Sequence, residues 1–265
     1  MKARQLLAGA LLLLTMVACR PDTVDLGYRY PEGSLRYRMR AEAGAEWDIG
    51  GPGKGSYVVT FEVTETVQSS DEQGAVVTVE MVPESVEENG LPSPGSEERS
   101  FALRIGPNGE VLEVLEVDGI EADALDPDEL IFIGTYRPPL PQERVRLGDA
   151  WEAEQEVRLA SVFQQFVTTG TLESLDRDAQ GRLARLRYEG DGPLVWSTVL
   201  PQGDAELTGF ADTASEAELD IDGGFLRRAS SSTSGRFEVR VDPGGQQAPI
   251  TGTLELDLRL DLEKL

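Results

Sequence analysis

The chain of 265 residues contains no histidine and a single cysteine, Cys19. Without imidazole, Ser-His-Asp and Cys-His catalysis are excluded, as are zinc sites built on histidine. Hydrolysis by paired carboxylates stays open on composition alone. One cysteine cannot form a disulfide within the chain, so stability must come from the core. Basic charge is scarce: 24 Lys and Arg stand against 48 Asp and Glu, for a formal net charge of −24. Lysine is almost missing, with only Lys2, Lys54 and Lys264. So acidic a chain repels nucleic acid and anionic headgroups, and neither is expected as a partner. The bulk acidity reads as solubility and environment, a high-salt habitat included, because salt screens self-repulsion. Beyond residue 14 no apolar run is long enough to cross a bilayer.

What is present begins with Lys2 and Arg4, followed by an apolar run from Leu6 to Leu14 that is too short for a permanent membrane helix. Met16-Val17-Ala18-Cys19 comes next. This pattern resembles the lipobox of bacterial lipoproteins, with Met16 standing where leucine is usual and Val17, Ala18 and Cys19 fitting. The resemblance implies that residues 1–18 are a cleaved signal peptide and that the Cys19 thiol takes a diacylglycerol. The chain is then a palmitate-bearing lipoprotein, anchored through Cys19 on the extracytoplasmic side of a cell-envelope membrane. Two or three acyl chains hold a protein durably where one would not. Arg20, in place of the Asp that marks retention, implies sorting to the outer membrane where there is one. Losing Lys2 and Arg4 with the signal takes the charge from −24 to −26. Roughly 245 residues remain, enough for one large β domain or two small ones. Residues 19–33 read as the lipidated cysteine and a tether, polar at Arg20-Pro21-Asp22 and turning at Tyr30-Pro31-Glu32-Gly33.

From residue 34 onward, period-two alternation dominates and predicts an all-β domain over 34–265. Leu35, Tyr37 and Met39 alternate with Arg36, Arg38 and Arg40, and Tyr57, Val59, Phe61 and Val63 share a face, as do Ala75, Val77, Val79 and Met81. Asn108-Gly109 between two such runs predicts a hairpin. The Pro-, Gly-, Ser- and Glu-rich stretch from Pro83 to Glu98 reads as a mobile loop. One short helix is expected from Asp126, a cap followed by Pro127 at the first helical position, to about Gly134, before the extended crossing Pro138-Pro139-Leu140-Pro141. The order of strand, acidic turn, strand, loop and hairpin occurs twice, in about 34–125 and 148–265. The expected architecture is therefore a curved antiparallel sheet, half-barrel or sandwich-like, built from two pseudo-repeats joined by the helix and crossing at about 126–147.

The final strand alternates without a break. Leu254, Leu256, Leu258, Leu260 and Leu262 face one way, predicted dry, and Glu255, Asp257, Arg259, Asp261 and Glu263 face the other, predicted wet. Arg36, Arg38 and Arg40 form the complementary basic stripe, because opposite charges across neighbouring strands attract. The first and last strands are therefore expected side by side, closing one edge of the sheet, with Glu62 and its neighbours as the competing acidic partner.

Leu140-Pro141 followed by Val145-Arg146-Leu147-Gly148-Asp149-Ala150-Trp151 resembles the Leu-Pro, Val-x-x-Gly-Asp-x-Trp segment of an uncharacterised family of bacterial surface lipoproteins. Gly33 and Tyr37 fit that family's Tyr-rich opening. The family brings no chemistry with it. Physically, Gly148-Asp149 makes a tight turn and Trp151 anchors the incoming strand in the core, so a buried, structural Trp151 is expected. Asp220-x-Asp222-Gly223 resembles a fragment of a calcium loop without the remaining ligands and reads as a hairpin turn. The acidic turn at Asp176 and Asp178, the hydroxyl-rich Ser230–Ser234 strand and the pairs Glu87-Glu88 and Glu97-Glu98 read as solvated surface. No catalytic constellation, metal site or cofactor site is expected, and the one assigned functional residue is the lipidation site Cys19. The expected function is a membrane-anchored, non-catalytic structural or interaction module. The alternative is a carrier of a lipid or other hydrophobic ligand, and a carboxylate hydrolase ranks third. An open apolar cavity favours the carrier, and a packed core with the last-strand leucines against aromatic rings disfavours it.

Overall fold

Alternation of apolar and polar side chains carries this chain into long strands, in which successive residues point to opposite faces. The computed structural model describes residues 23–95, 97–124, 137–159, 162–200, 203–244 and 248–265. The first meander comprises β1 (Gly33–Ile49), β2 (Pro52–Asp71), β3 (Gly74–Glu88), β4 (Leu91–Pro92), β5 (Arg99–Ile105), β6 (Val111–Val117) and β7 (Ile120–Glu121). The second comprises β8 (Ala150–Leu159), β9 (Val162–Asp178), β10 (Gly181–Leu200), β11 (Gly203–Asp220), β12 (Phe225–Asp242) and β13 (Ile250–Lys264). All thirteen strands form one antiparallel sheet, open rather than closed into a barrel, in the order β7-β6-β5-β3-β2-β1-β13-β12-β11-β10-β9-β8, with β4 beside β3. The chain thus starts at the centre, winds out to β7, restarts at the far edge with β8 and winds back. Both meanders advance in the same direction across the sheet, as two copies of one unit would. The expected helix at 126–134 lies outside the described residues, within which the only helical turn is Ala122–Ala124.

β1 and β13 are neighbours, with Met39 opposite Leu262, Arg38 opposite Glu263 and Arg40 opposite Asp261. The expected adjacency of first and last strands is observed, but its consequence differs. The seam lies in the middle of the sheet and joins the two meanders, so it closes no edge; the outermost strands are β7 and β8. The ion pairs of the basic stripe are made elsewhere: Arg36 pairs with Glu62 of β2 at 2.6 Å, Arg38 with Glu84 of β3 at 3.0 Å and Arg40 with Glu42 of its own strand at 2.7 Å, while Glu263 and Asp261 stand opposite in register.

The sheet curls strongly at one end. The N–H of Tyr28 donates to Pro107 O in the β5–β6 turn, and the N–H of Arg29 donates to Gly224 O in the β11–β12 turn. In a flat sheet, β5 and β12 would be five strand spacings apart, about 24 Å. Two consecutive residues reach both turns only because the two wings bend toward one another. Residues 23–31 therefore form no free tether. Val24, Leu26 and Tyr28 are buried in the main core with Val63, Val77, Leu103, Leu172, Leu186 and Leu219. Their alternating apolar side chains continue the period-two pattern, which the neighbouring Arg20-Pro21-Asp22 obscured.

The loop expected at 83–98 is also partly strand. β3 continues to Glu88 by way of a bulge opposite Thr60 and Phe61, then turns at Asn89-Gly90, both at positive φ, into β4. Asn89-Gly90 carries the same two-residue hairpin signal as Asn108-Gly109, inside a stretch whose Pro, Ser and Glu content otherwise favours a loop.

Candidate functional site

The face of the sheet that carries the core is called inner. On it, burial is heavy at both ends of the long strands and light between them. At the curled end Ala217, Ala229 and Leu262 are buried, and at the far end Ala205, Leu207, Phe237, Val239 and Val241 form a second buried cluster. Between Ala229 and Phe237, the inner residues Ser231, Thr233 and Gly235 are only half-buried. Eight residues of strand make this window about 26 Å long. Tyr57, Ala43, Leu258, Thr233 and Thr213 lie side by side across it on five strands. Leu258 is 45% exposed and Tyr57 39%, and Trp47 lies exposed on the same face.

The window is amphiphilic. One side carries Leu256, Leu258, Leu260, Ala43 and Tyr57. The other carries Ser215, Ser231, Thr213 and Thr233, with the hydroxyls of Thr213 and Thr233 2.9 Å apart. The expected dry leucine face is therefore fully dry only at Leu262. Likewise, the hydroxyl-rich strand is not wholly outer surface, since Ser231 and Thr233 point inward. The outer side of the same rows is an open hollow of about 1080 Å³, flanked by Glu42, Glu189, Asp191, Asp212, Asp257 and Arg259.

Beneath the curled end sits a buried ion pair that the sequence reading missed. Glu65 of β2 is 2% exposed and Arg137, in the crossing, 8%. Arg137 Nε donates to Glu65 Oε1 at 3.2 Å, its Nη2 donates to Oε2, and its Nη1 donates to the Tyr30 hydroxyl at 3.3 Å. The guanidinium also stacks on the rings of Tyr28 and Tyr30, 5.3 and 5.5 Å from their centroids. A cavity of about 200 Å³ adjoins the pair, lined also by Tyr37, Leu35, Val67 and Phe225. One sequence signal existed: Glu65 falls on the inward parity of Phe61, Val63 and Val67, where a charge requires a partner. That the partner is Arg137 follows only from the curl.

Burial drives the tyrosines around the pair to stay protonated. It pushes Tyr30 from 10.0 up to about 12, against the lowering effect of Arg137, and raises Tyr28, Tyr37 and Tyr188 as well. As neutral donors, Tyr28 and Tyr188 hold the crossing in place, and Tyr30 donates to Gly106 O in the β5–β6 turn at 2.8 Å. Tyr28 bonds Pro138 O at 2.9 Å, and Tyr188 bonds Pro139 O at 3.1 Å.

Cys19 precedes the described residues. The motif residues around Trp151 are brought together in one small assembly. Val145 exchanges both backbone hydrogen bonds with Val24, and Gly148, at φ +84°, turns the chain. Asp149 Oδ2 accepts the Arg146 N–H at 2.8 Å. Trp151 is half-buried rather than buried, because it packs near the edge of the sheet, over Gly170 and edge-on to Tyr188, with its indole N–H donating to Pro139 O at 3.3 Å. The acidic turns are occupied by arginines: Asp220 takes Arg227, Asp178 also takes Arg227, and Asp222 takes Arg182. Among the described residues no group of three or more acidic or cysteine side chains is placed to hold a metal ion.

No family model and no curated protein matches the chain. Among solved structures, lipovitellin, in a structure titled for its lipid–protein interactions, is similar over 89% of this chain and 25% of its own, with 10% sequence identity and a TM-score of 0.46. The chain spans about a quarter of the length of that neighbour.

Proposed function

We propose that this chain is a lipid-anchored protein of the cell envelope whose β domain is a non-catalytic binding module for the apolar part of a lipid. Cys19, at the end of the lipobox-like segment, supplies the anchor, and the inner face supplies the site. The observation that carries the reading is the row Tyr57–Ala43–Leu258, apolar yet open to solvent on the face that is otherwise core. Toward the two ends of the long strands the inner residues Leu262, Leu207, Phe237 and Val239 are buried, so the open stretch between them is an interruption of packing. The flanking hydroxyls of Thr213, Ser231 and Thr233 suit the ester and hydroxyl groups where a lipid headgroup meets its acyl chains. A purely structural display domain has no use for such a window.

The test is binding of a fluorescent fatty acid to the signal-less domain, with Leu258→Arg as the variant. Leu258 is exposed enough that the substitution should leave folding intact, while a cation in the apolar row should weaken binding at least about tenfold, or 1.4 kcal/mol. Unchanged binding in a folded variant, or none in the wild type, would leave the structural module as the better reading. Separately, the full chain should incorporate labelled palmitate and Cys19→Ala should not.

A further inference from the structure

Resting on the anchor at Cys19 proposed above, we infer that the domain is held against the bilayer by one defined surface, the 144–149 turn with Leu147 at its tip. The argument begins with reach. Val24 is fixed in the fold by two backbone hydrogen bonds to Val145, of 2.8 and 3.0 Å, and Arg144 Nη2 donates to Thr23 O at 2.9 Å. Only five residue steps separate Cys19 from Val24. Fully extended they span no more than about 18 Å. The long strands, of 15 to 20 residues, are about 50–65 Å in length. A tether so much shorter than the body it holds cannot let the body turn freely. The surface around the point of entry faces the membrane, and the far end of the strands faces away.

That surface has the matching chemistry. Leu147 is 61% exposed at the tip of the tight turn closed by Arg146 and Asp149, an apolar side chain with no packing role. Arg144 and Arg146 flank it, against Asp25, Glu143 and Asp149, so the patch is near charge balance in a chain of −24. Such a patch can approach headgroups that the rest of the molecule repels. An apolar tip between arginines suits the interface, where long basic side chains keep their charge in the headgroup layer. Val145 ties the turn to the entering chain, and Leu147, at an unspecified position of the Val-x-x-Gly-Asp-x-Trp segment, stands exposed beside it.

The experiment uses the lipidated full-length protein in phosphatidylcholine vesicles. Because Cys19 is the only cysteine and is consumed by the lipid, one introduced cysteine is the sole thiol. Leu147→Cys is compared with Arg240→Cys, each carrying an environment-sensitive dye. Ala150, three residues from Leu147, shares a register row with Ser230, and Arg240 lies ten residues farther along that strand, about 33 Å away. The dye at 147 should shift to the blue and be quenched severalfold more by a lipid-borne quencher than the dye at 240. Equal quenching at both sites, or stronger quenching at 240, in protein that floats with the vesicles would overturn the orientation and leave the anchor standing. Protein that neither takes up palmitate nor floats would overturn the anchor itself, and the orientation with it. Circular dichroism of both variants separates these outcomes from misfolding.

Discussion

Glu65 and Arg137 lie 72 residues apart and meet out of water, where pairing with the opposite charge offsets much of the cost of burial. Glu65 sits in the row where its strand neighbours are Val63 and Val67, so removing the carboxylate strands a guanidinium among tyrosine rings. Glu65→Ala should therefore lower unfolding free energy by about 3–5 kcal/mol. The double variant Glu65→Leu with Arg137→Met should cost less than the single one, because it leaves no unpaired charge. Chemical denaturation of the three proteins checks this. If the single and double variants are equally destabilised, the pair acts through its shape and not its charge.

Strand β1 works as an element in two directions. Its inner residues Tyr37 and Met39 enter the core, and its outer arginines face acids on both flanking strands. The seam with β13 matters most, because it joins two meanders that otherwise share only the curled end. Arg40 stands directly opposite Asp261. Arg40→Glu and Asp261→Arg should each destabilise, and together they should recover part of the loss, with a coupling of about 0.2–1 kcal/mol. A double variant that equals the sum of its singles would show that the register is held by the inner residues alone. Loss of β13 has a larger effect than loss of an edge strand, since the sheet is cut through its middle.

At the scale of the whole molecule, the curled end is stapled by tyrosines whose hydroxyls hold the crossing. Their pKa values are raised in the folded state, so the unfolded chain ionises first as pH rises. The stabilisation is complete below pH 10, the ordinary tyrosine value, and is lost progressively toward the folded value of about 12 for Tyr30. Denaturation midpoints should be flat up to about pH 9 and fall steeply above pH 10. In a Tyr57→Phe, Tyr136→Phe variant, which keeps only Tyr28, Tyr30, Tyr37 and Tyr188, tyrosinate absorbance should appear together with unfolding, and absorbance that grows at the ordinary tyrosine pH in the still-folded protein would contradict the burial.

The sequence by itself determined the all-β class, most strand positions, the hairpins at 105–111 and 220–225, and the pairing of first and last strands. All of these follow from period-two alternation, turn residues and charge, which are local or pairwise properties that a linear chain displays. Only the tertiary structure decided that the β1–β13 seam is central, that Val24, Leu26 and Tyr28 are core, that Arg137 answers Glu65, and that the leucine face of β13 is open around Leu258. Each depends on how far the sheet curls. Curl sums small twists over many strands, and it alone sets which inner residues meet a partner and which are left facing water.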